Sequence, residues 1–324
     1  MSSSIKVNLE KDSYDIIFDE NFVESAMALI AISSKCMFIT QEIIYEAFEE
    51  KFSVLKSLPN VEFHLIGQGE KAKSIDTVIE ICDKMAMMHF DRSSTVFAVG
   101  GGVVGDTAGF VASIFMRGID YFQYPTTLLA MVDSSIGGKT GVNLSSGKNL
   151  IGRIHQPKAV IVDVSFLDTL PQREINASLA EAIKYGFIYD RELFNYIVEN
   201  ISDILSGKNR TVLKKIILRS CEIKSEVVSM DVNEDNIRMI LNFGHTLGHA
   251  IESYCLTQKN KTTLLHGEAI AIGMILEAYL STELTGLSQN ESDEIKTIFS
   301  TIYPKVDFTE NEIESILTLL QYDK

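Results

Sequence analysis

Short apolar runs rich in β-branched and aromatic residues recur along the first half of the chain, with amphipathic stretches between them. The runs IKVNL (5–9), YDIIF (14–18), CMFIT (36–40), VEFHLI (61–66), TVFAVG (95–100), IDYFQY (119–124) and VIVD, with its core at 161–163, have the composition of β-strands. In 43–58 and 75–88 apolar residues return at intervals of three and four, the period of a helix with one buried face. Strands alternating with helices predict an open, largely parallel sheet covered on both faces. After Asp163 the pattern changes, and from about 171 to 320 it reads as successive helices with few β-branched runs. The predicted architecture is an α/β N-terminal domain over 1–165 and an all-α C-terminal domain over 166–324. No repeat or low-complexity linker parts them, so a site in the cleft between the halves is the expectation.

One turn in the first half has a pattern of its own. After TVFAV comes Gly100-Gly101-Gly102-Val-Val-Gly105-Asp106, which opens a helical run to Ser113. This satisfies G-x-G-x-x-G between a strand and a helix, where absent side chains let a pyrophosphate reach backbone N–H groups at the helix's positive end. A tight turn with close helix packing would also use these glycines. The turn sits deep in the domain, and Asp120 begins the next strand instead of ending it. A dinucleotide site here therefore departs from the standard Rossmann arrangement.

Charge narrows the partners. The 324 residues carry a net charge of −15, which argues against a nucleic-acid partner, since phosphate backbones need clustered Lys and Arg. An acidic protein that takes an anionic ligand must concentrate its cations locally. The segment from Arg117 to Asn149 does so, with Lys139 and Lys148 beside Asp133, Asn143 and Asn149. A solvated loop is the alternative reading of the same glycine-rich stretch. Gly138-Lys139-Thr140 resembles the end of a P-loop, but Asp133 stands where that motif needs glycine, so a nucleotide triphosphatase is rejected. The four cysteines are widely spaced, which favours free thiols in a reducing cytosol. The N-terminus lacks a secretory pattern, and the most apolar stretch, 264–280, is broken by His266, Glu268 and Glu277. A soluble cytoplasmic protein, with no membrane partner, is expected.

Histidines and carboxylates supply the remaining chemistry. His64 lies in a predicted strand, His155 in a loop and His89 at a helix end, and all three read as structural or exposed. Asn242-Phe-Gly-His245-Thr-Leu-Gly-His249 and His266-Gly-Glu268 cluster instead. His245 and His249 are i, i+4 and share a helix face, as Glu181 and Lys184 do at i, i+3. Thr246 replaces the glutamate that H-E-x-x-H requires, so that motif is absent. A zinc with three protein ligands and an open position needs such N and O donors. Spacing does not decide which two histidines bind, and packed helices also bury or cap with histidine.

The segments RGIDYFQYPTTLLAMVDSSIGGKTGVN, DTLPQRE, AEAIKYG, LNFGHTLGHAIE and HGEAIAIGM, in this order, closely resemble the 3-dehydroquinate synthases, of the sugar-phosphate cyclase family. The match runs from about Glu70 to the C-terminus, with looser kinship to iron- or zinc-dependent alcohol and glycerol dehydrogenases. It implies an NAD-binding domain with a Rossmann-like parallel sheet, a helical domain, an interdomain active site and a homodimer. It implies Glu181, His245 and His266 as ligands of zinc (or cobalt), with His249 on the substrate side. Glu70, Lys73, Gly101, Gly102, Asp106, Thr126, Thr127 and Leu129 match positions that hold NAD, and Thr169 matches another cofactor-side position. Asp133, Lys139, Lys148, Asn149, Lys184, Lys224, Arg238, Asn242 and His249 match the substrate pocket. Arg117 matches an arginine that reaches the neighbouring subunit's phosphate.

The implied reaction converts 3-deoxy-D-arabino-heptulosonate 7-phosphate to 3-dehydroquinate plus phosphate. It runs through NAD-mediated oxidation, β-elimination, reduction and intramolecular aldol closure. Arg238 and Lys224 favour a carboxylate-bearing substrate over that of another cyclase, and the cation cluster disfavours a polyol dehydrogenase. An inactive binding protein is the rival from another class. Three departures stand out. Gln41 replaces a usual Asp, and Ser178 replaces a usual Gly. The chain ends at Tyr322-Asp323-Lys324 where relatives continue, so weakened substrate binding, with metal and NAD binding intact, is expected.

Overall fold

The computed structural model describes residues 3–144, 147–258 and 263–322. Its strands are β1 (Ser3–Val7), β2 (Tyr14–Phe18), β3 (Cys36–Gln41), β4 (Val61–Ile66), β5 (Thr95–Gly100), β6 (Asp120–Pro125), β7 (Lys139–Leu144), β8 (Gly147–Ile154) and β9 (Ala159–Val162). Seven of them form one sheet in the order β1-β2-β9-β6-β5-β3-β4. β1 is antiparallel to β2, and every other neighbouring pair is parallel. The chain winds outward from β3 to β4, then crosses back to place β5 on the other side of β3. The switch point is thus between β3 and β5, whose carboxyl ends carry Gln41 and Gly100. In open α/β sheets ligands bind outside the carboxyl ends of strands at such a point.

The central strands are buried on both faces, as continuous apolar runs require. Phe63, Phe38, Phe97 and Phe122 meet in register across β4, β3, β5 and β6. Their successive ring centroids are 5.1, 4.5 and 5.5 Å apart. Phe97 is fully buried at the centre of this ladder. Phe97→Ala should therefore cost about 3–5 kcal/mol, seen as a lower denaturation midpoint. A change below 1 kcal/mol would show that the ladder contributes little.

Some predicted elements shift. The run expected at 5–9 pairs two residues earlier, and Leu9 leads instead into the short turn Glu10–Asp12. The helical pattern over 43–58 is two helices, Glu42–Ala47 and Glu49–Lys56, because Phe48 (φ −126°) leaves the helical region. The basic glycine-rich segment, for which a solvated loop is the alternative reading, runs into an antiparallel hairpin, β7 with β8.

The chain divides into two compact units. One comprises residues 1–170 and 217–232, the other 171–216 and 233–324. Residues 217–232, which the expected boundary assigns to the helical half, thus group with the first unit. The reason lies in their contacts: Cys221 Sγ donates to the Met131 carbonyl at 3.3 Å, and Lys224 pairs with Asp133. The second unit is helical, with Gln172–Ile188, Arg191–Glu199, His245–Thr257, His266–Leu284, Gln289–Ile302 and Glu310–Leu319 as its main elements.

Candidate active site

In the first unit, β5 ends at Gly100 and the helix Gly102–Ile114 starts two residues later. Gly101 caps it without a side chain, leaving the first-turn N–H groups to face outward. Thr127 and Ser134 wall the turn: a Cβ on Gly101 would lie 3.0 Å from Thr127 Cγ2, and one on Gly102 3.1 Å from Ser134 Oγ. Thr126 N–H donates to the Gly100 carbonyl at 3.0 Å, and Thr127 Oγ1 accepts from Ala130 N–H at 3.2 Å. Leu129 leads into the turn Ala130–Ser134. A negatively charged group can approach such an open helix N-terminus.

Beside this turn Glu70, Lys73, Asp106, Asn143 and Asn149 form one network, and Lys224 with Asp133 forms a separate pair. Lys73 Nζ, 5% exposed, donates to Asp106 Oδ2 and Asn149 Oδ1, both at 2.5 Å. Asn143 Nδ2 donates to Glu70 Oε2 at 2.5 Å, while Asn143 Oδ1 accepts from Asn149 N–H at 2.8 Å. Burial raises the Asp106 pKa from its ordinary value, and the Lys73 ammonium works against that rise. Lys224 Nζ donates to Asp133 Oδ1 at 2.7 Å and to the Asp133 carbonyl at 2.8 Å. Lys139 opens β7 and Lys148 lies on β8. Arg117 is exposed and held at φ 70°, a left-handed conformation that is strained for a residue with a side chain. Thr169 Oγ1 donates to the Phe166 carbonyl at 3.4 Å. Gln41, at the departure position, donates from Nε2 to the Gly67 carbonyl at 2.9 Å.

The second unit gathers the carboxylate and the histidines. Glu181, on Gln172–Ile188, is 0% exposed, and neither of its oxygens accepts a well-formed hydrogen bond among the described residues. Lys184 Nζ lies against Oε2. His245 Nε2 and His266 Nε2 stand 3.5 and 3.7 Å from Glu181 Oε1. These are long for hydrogen bonds. They do suit two ligands of one ion, because metal bonds of about 2.1 Å in a tetrahedron put donor atoms roughly 3.4 Å apart. Both rings turn the other nitrogen to an acceptor: His245 Nδ1 to the Phe243 carbonyl at 3.2 Å, and His266 Nδ1 to Glu252 Oε2 at 3.3 Å. That fixes an Nδ1–H tautomer and leaves the Nε2 lone pair for a metal. His249 joins the group, since His245, His249 and His266 offer nitrogens all within 4.8 Å of one another.

Electrostatics agrees with a ligand set. Burial would raise the Glu181 pKa, yet Lys184, His245 and His266 together hold it well below the ordinary carboxylate value. Burial, then the Lys184 charge, push His245 down to about 3, so this ring is neutral. Burial also opposes charge on His266, but the Glu181 and Glu252 carboxylates outweigh it and hold the ring up to about 10. A cation is therefore favoured between Glu181 and His266, and a divalent metal can take the proton's place.

Glycine contacts bring these helices together. A Cβ on Gly267 would lie 1.8 Å from the Ala177 carbonyl oxygen, and one on Gly273 2.0 Å from that of Gly244. The first crossing sets His266 against the Glu181 helix, and the second sets it against the His245 helix. Three acids to which sequence reasoning gave no role complete the frame. Glu277 Oε2 accepts from Gly244 N–H at 2.7 Å, capping the helix that begins at His245. Arg173 holds Glu268 through two 2.8 Å hydrogen bonds, and Glu252 holds His266. Acids inside otherwise apolar helices were the available signal. Arg238, buried, and Asn242, exposed with Nδ2 on Glu234 Oε1 at 3.1 Å, lie in the turn Ile237–Asn242 before His245. Ser178 Oγ donates to the Glu174 carbonyl at 2.6 Å. Asp323 and Lys324 lie outside the described residues.

Solved structures share this architecture. A 2-deoxy-scyllo-inosose synthase complexed with carbaglucose-6-phosphate, NAD⁺ and Co²⁺ is similar at TM-score 0.83 and 26% identity, over 99% of this chain and 87% of that one. A 2-epi-5-epi-valiolone synthase from Streptomyces hygroscopicus with NAD⁺ and Zn²⁺ bound matches at TM-score 0.79 and 26% identity, over 97% and 98%. The fold is thus that of the sugar-phosphate cyclases. Within this class the sequence is more specific. Residues 63–177 match the 3-dehydroquinate synthase N-terminal family and 178–324 its C-terminal family. A 3-dehydroquinate synthase from Caldanaerobacter subterraneus is 44% identical over 98% of this chain and 89% of its own length. One from Thermoanaerobacter sp. is 42% identical over 99% and 90%. The chain belongs to the 3-dehydroquinate synthase family, and its function is 3-dehydroquinate synthesis.

Proposed function

We propose that the chain is a carbon–oxygen lyase that makes 3-dehydroquinate from 3-deoxy-D-arabino-heptulosonate 7-phosphate, using NAD and one divalent metal, zinc or cobalt. The observation that carries the metal is the buried Glu181 carboxylate, paired with Lys184 through Oε2 and faced at Oε1 by two imidazole Nε2 atoms. Glu181, His245 and His266 would hold the ion, and when bound it supplies Lewis-acid polarisation of a substrate hydroxyl. The glycine turn, with Glu70, Lys73, Asp106, Thr126, Thr127, Leu129 and Thr169, would hold NAD, which supplies a hydride acceptor that is regenerated within each turnover. In the relatives' structures both groups are present together, as NAD⁺ with Co²⁺ or Zn²⁺.

The remaining residues bind and orient. Lys139, Lys148 and Arg117 concentrate positive charge in a chain of net charge −15, which suits a phosphate. Arg238 offers a planar fork for the substrate carboxylate. Lys184 keeps Glu181 ionised, and Lys224 fixes Asp133 for contact with substrate hydroxyls. His249, Asn242 and Asn149 supply hydrogen-bonding groups for the same hydroxyls. Arg117 reaches a neighbouring subunit's phosphate in a homodimer. The protein works in the cytoplasm, a reading supported by four free cysteines. Among the described residues no helix is long and apolar enough to cross a membrane.

The test is phosphate release from the heptulosonate phosphate, followed with and without NAD. Product should exceed the NAD supplied many-fold, with no lasting NADH absorbance. Stoichiometric NADH accumulation would assign a dehydrogenase reaction instead.

A further inference from the structure

The two imidazoles facing Glu181 are supported differently. His245 Nδ1 faces a backbone carbonyl, that of Phe243, at 3.2 Å. His266 Nδ1 faces a carboxylate, Glu252 Oε2, at 3.3 Å. Glu252 lies on the helix His245–Thr257, whereas His266 begins the next one, His266–Leu284. Glu252 is 7% exposed, and its chain neighbours Ala250 and Tyr254 belong with Leu264 to an apolar cluster. Keeping an acid in such a place costs free energy unless it has a partner of matching charge or hydrogen bonding. His266 is one such partner, through the nitrogen that does not face Glu181.

We propose that Glu252 is a positioning residue for the metal: it holds the His266 ring in the Nδ1–H tautomer, fixes the ring's direction and raises the basicity of Nε2. The inference rests on the proposed ligand set and adds to it the residue that makes one ligand a stronger donor than the other. A carboxylate polarises an imidazole more than a peptide carbonyl does, so His266 is the stronger nitrogen donor of the two. Glu252 touches neither substrate nor cofactor in this scheme and acts only through His266. The side chain also ties the helix carrying His245 to the start of the helix carrying His266. Its loss therefore loosens both imidazole ligands relative to one another.

The experiment measures Zn²⁺ affinity by competition with a chromophoric chelator, together with the visible absorption of the Co²⁺-loaded full chain. NAD affinity, read in the metal-free chain, reports on integrity of the first unit. The parent chain should bind one metal, and Glu181→Ala should abolish that binding. Glu252→Gln keeps size and a carbonyl acceptor but not the charge, and should weaken Zn²⁺ about 10-fold. Glu252→Ala should weaken it towards 100-fold and shift the Co²⁺ bands. NAD affinity should stay within about two-fold of the parent in both variants. A parent chain that takes up no metal overturns the ligand set and this inference together. A parent that binds metal, with both Glu252 variants equal to it in affinity and Co²⁺ spectrum, overturns only the role given to Glu252.

Discussion

Glu181→Ala is expected to strip the metal and to lower turnover at least about 10³-fold, since Lewis-acid stabilisation is worth several kcal/mol. The same substitution should also destabilise the fold. Lys184 is 1% exposed and its partner is Glu181. Removing one member of a buried ion pair leaves an unbalanced charge and costs about 3–5 kcal/mol. The two effects can be separated. Adding Lys184→Met to Glu181→Ala replaces the stranded ammonium with an apolar chain of similar length. Thermal stability should then return towards the parent while metal content stays near zero. Elemental analysis of the single variants tests the ligand assignment itself. His266→Ala and His245→Ala should lose metal, and His249→Ala should keep it. If His249→Ala strips the metal while His266→Ala does not, His249 and not His266 is the second imidazole ligand, and the assignment is wrong.

Much of this architecture is readable without coordinates, and what is not has identifiable physical causes. Runs such as TVFAVG and CMFIT announce buried strands because both faces must be apolar, and they form β5 and β3. The hairpin of β7 and β8 is hidden by its glycines. These read as loop, yet a Cβ on Gly152 would meet the Thr140 carbonyl oxygen at 2.2 Å, so glycine there serves close strand approach. Residues 217–232 belong to the long helix Arg210–Met230, and helical periodicity cannot say which neighbour a helix face covers. Spacing finds His245 and His249 as one face of a helix. It cannot find Glu181 or His266, which lie on two other helices and meet His245 only through packing. The resemblance names them. Glu252 and Glu277 escape because a carboxylate among apolar residues marks a buried acid without naming its partner, here 14 and 33 residues away.

The glycines at the helix crossings are where packing becomes chemistry, and Gly267→Ala should show it most clearly. The added methyl would sit 1.8 Å from the Ala177 carbonyl oxygen and 2.7 Å from its carbon. Both atoms are backbone, so no rotamer change relieves the overlap, and the two helices must move apart by more than about 1 Å to restore van der Waals distance. Gly267 follows His266, and Ala177 precedes Glu181 by four residues, one turn along the same helix face. The displacement therefore falls on the pair of ligands that stand 3.7 Å apart. Overpacking of this kind costs on the order of 3 kcal/mol, and a misplacement near 1 Å costs about 10²-fold in a positioned site. Gly267→Ala should lower the melting temperature by several degrees and weaken Zn²⁺ at least about 100-fold. Gly207→Ala is the control. Its Cβ would meet nothing within 4 Å, so stability and metal affinity should hold. A Gly267→Ala chain that melts with the parent and binds Zn²⁺ as tightly would mean that the crossing does not set the distance between Glu181 and His266.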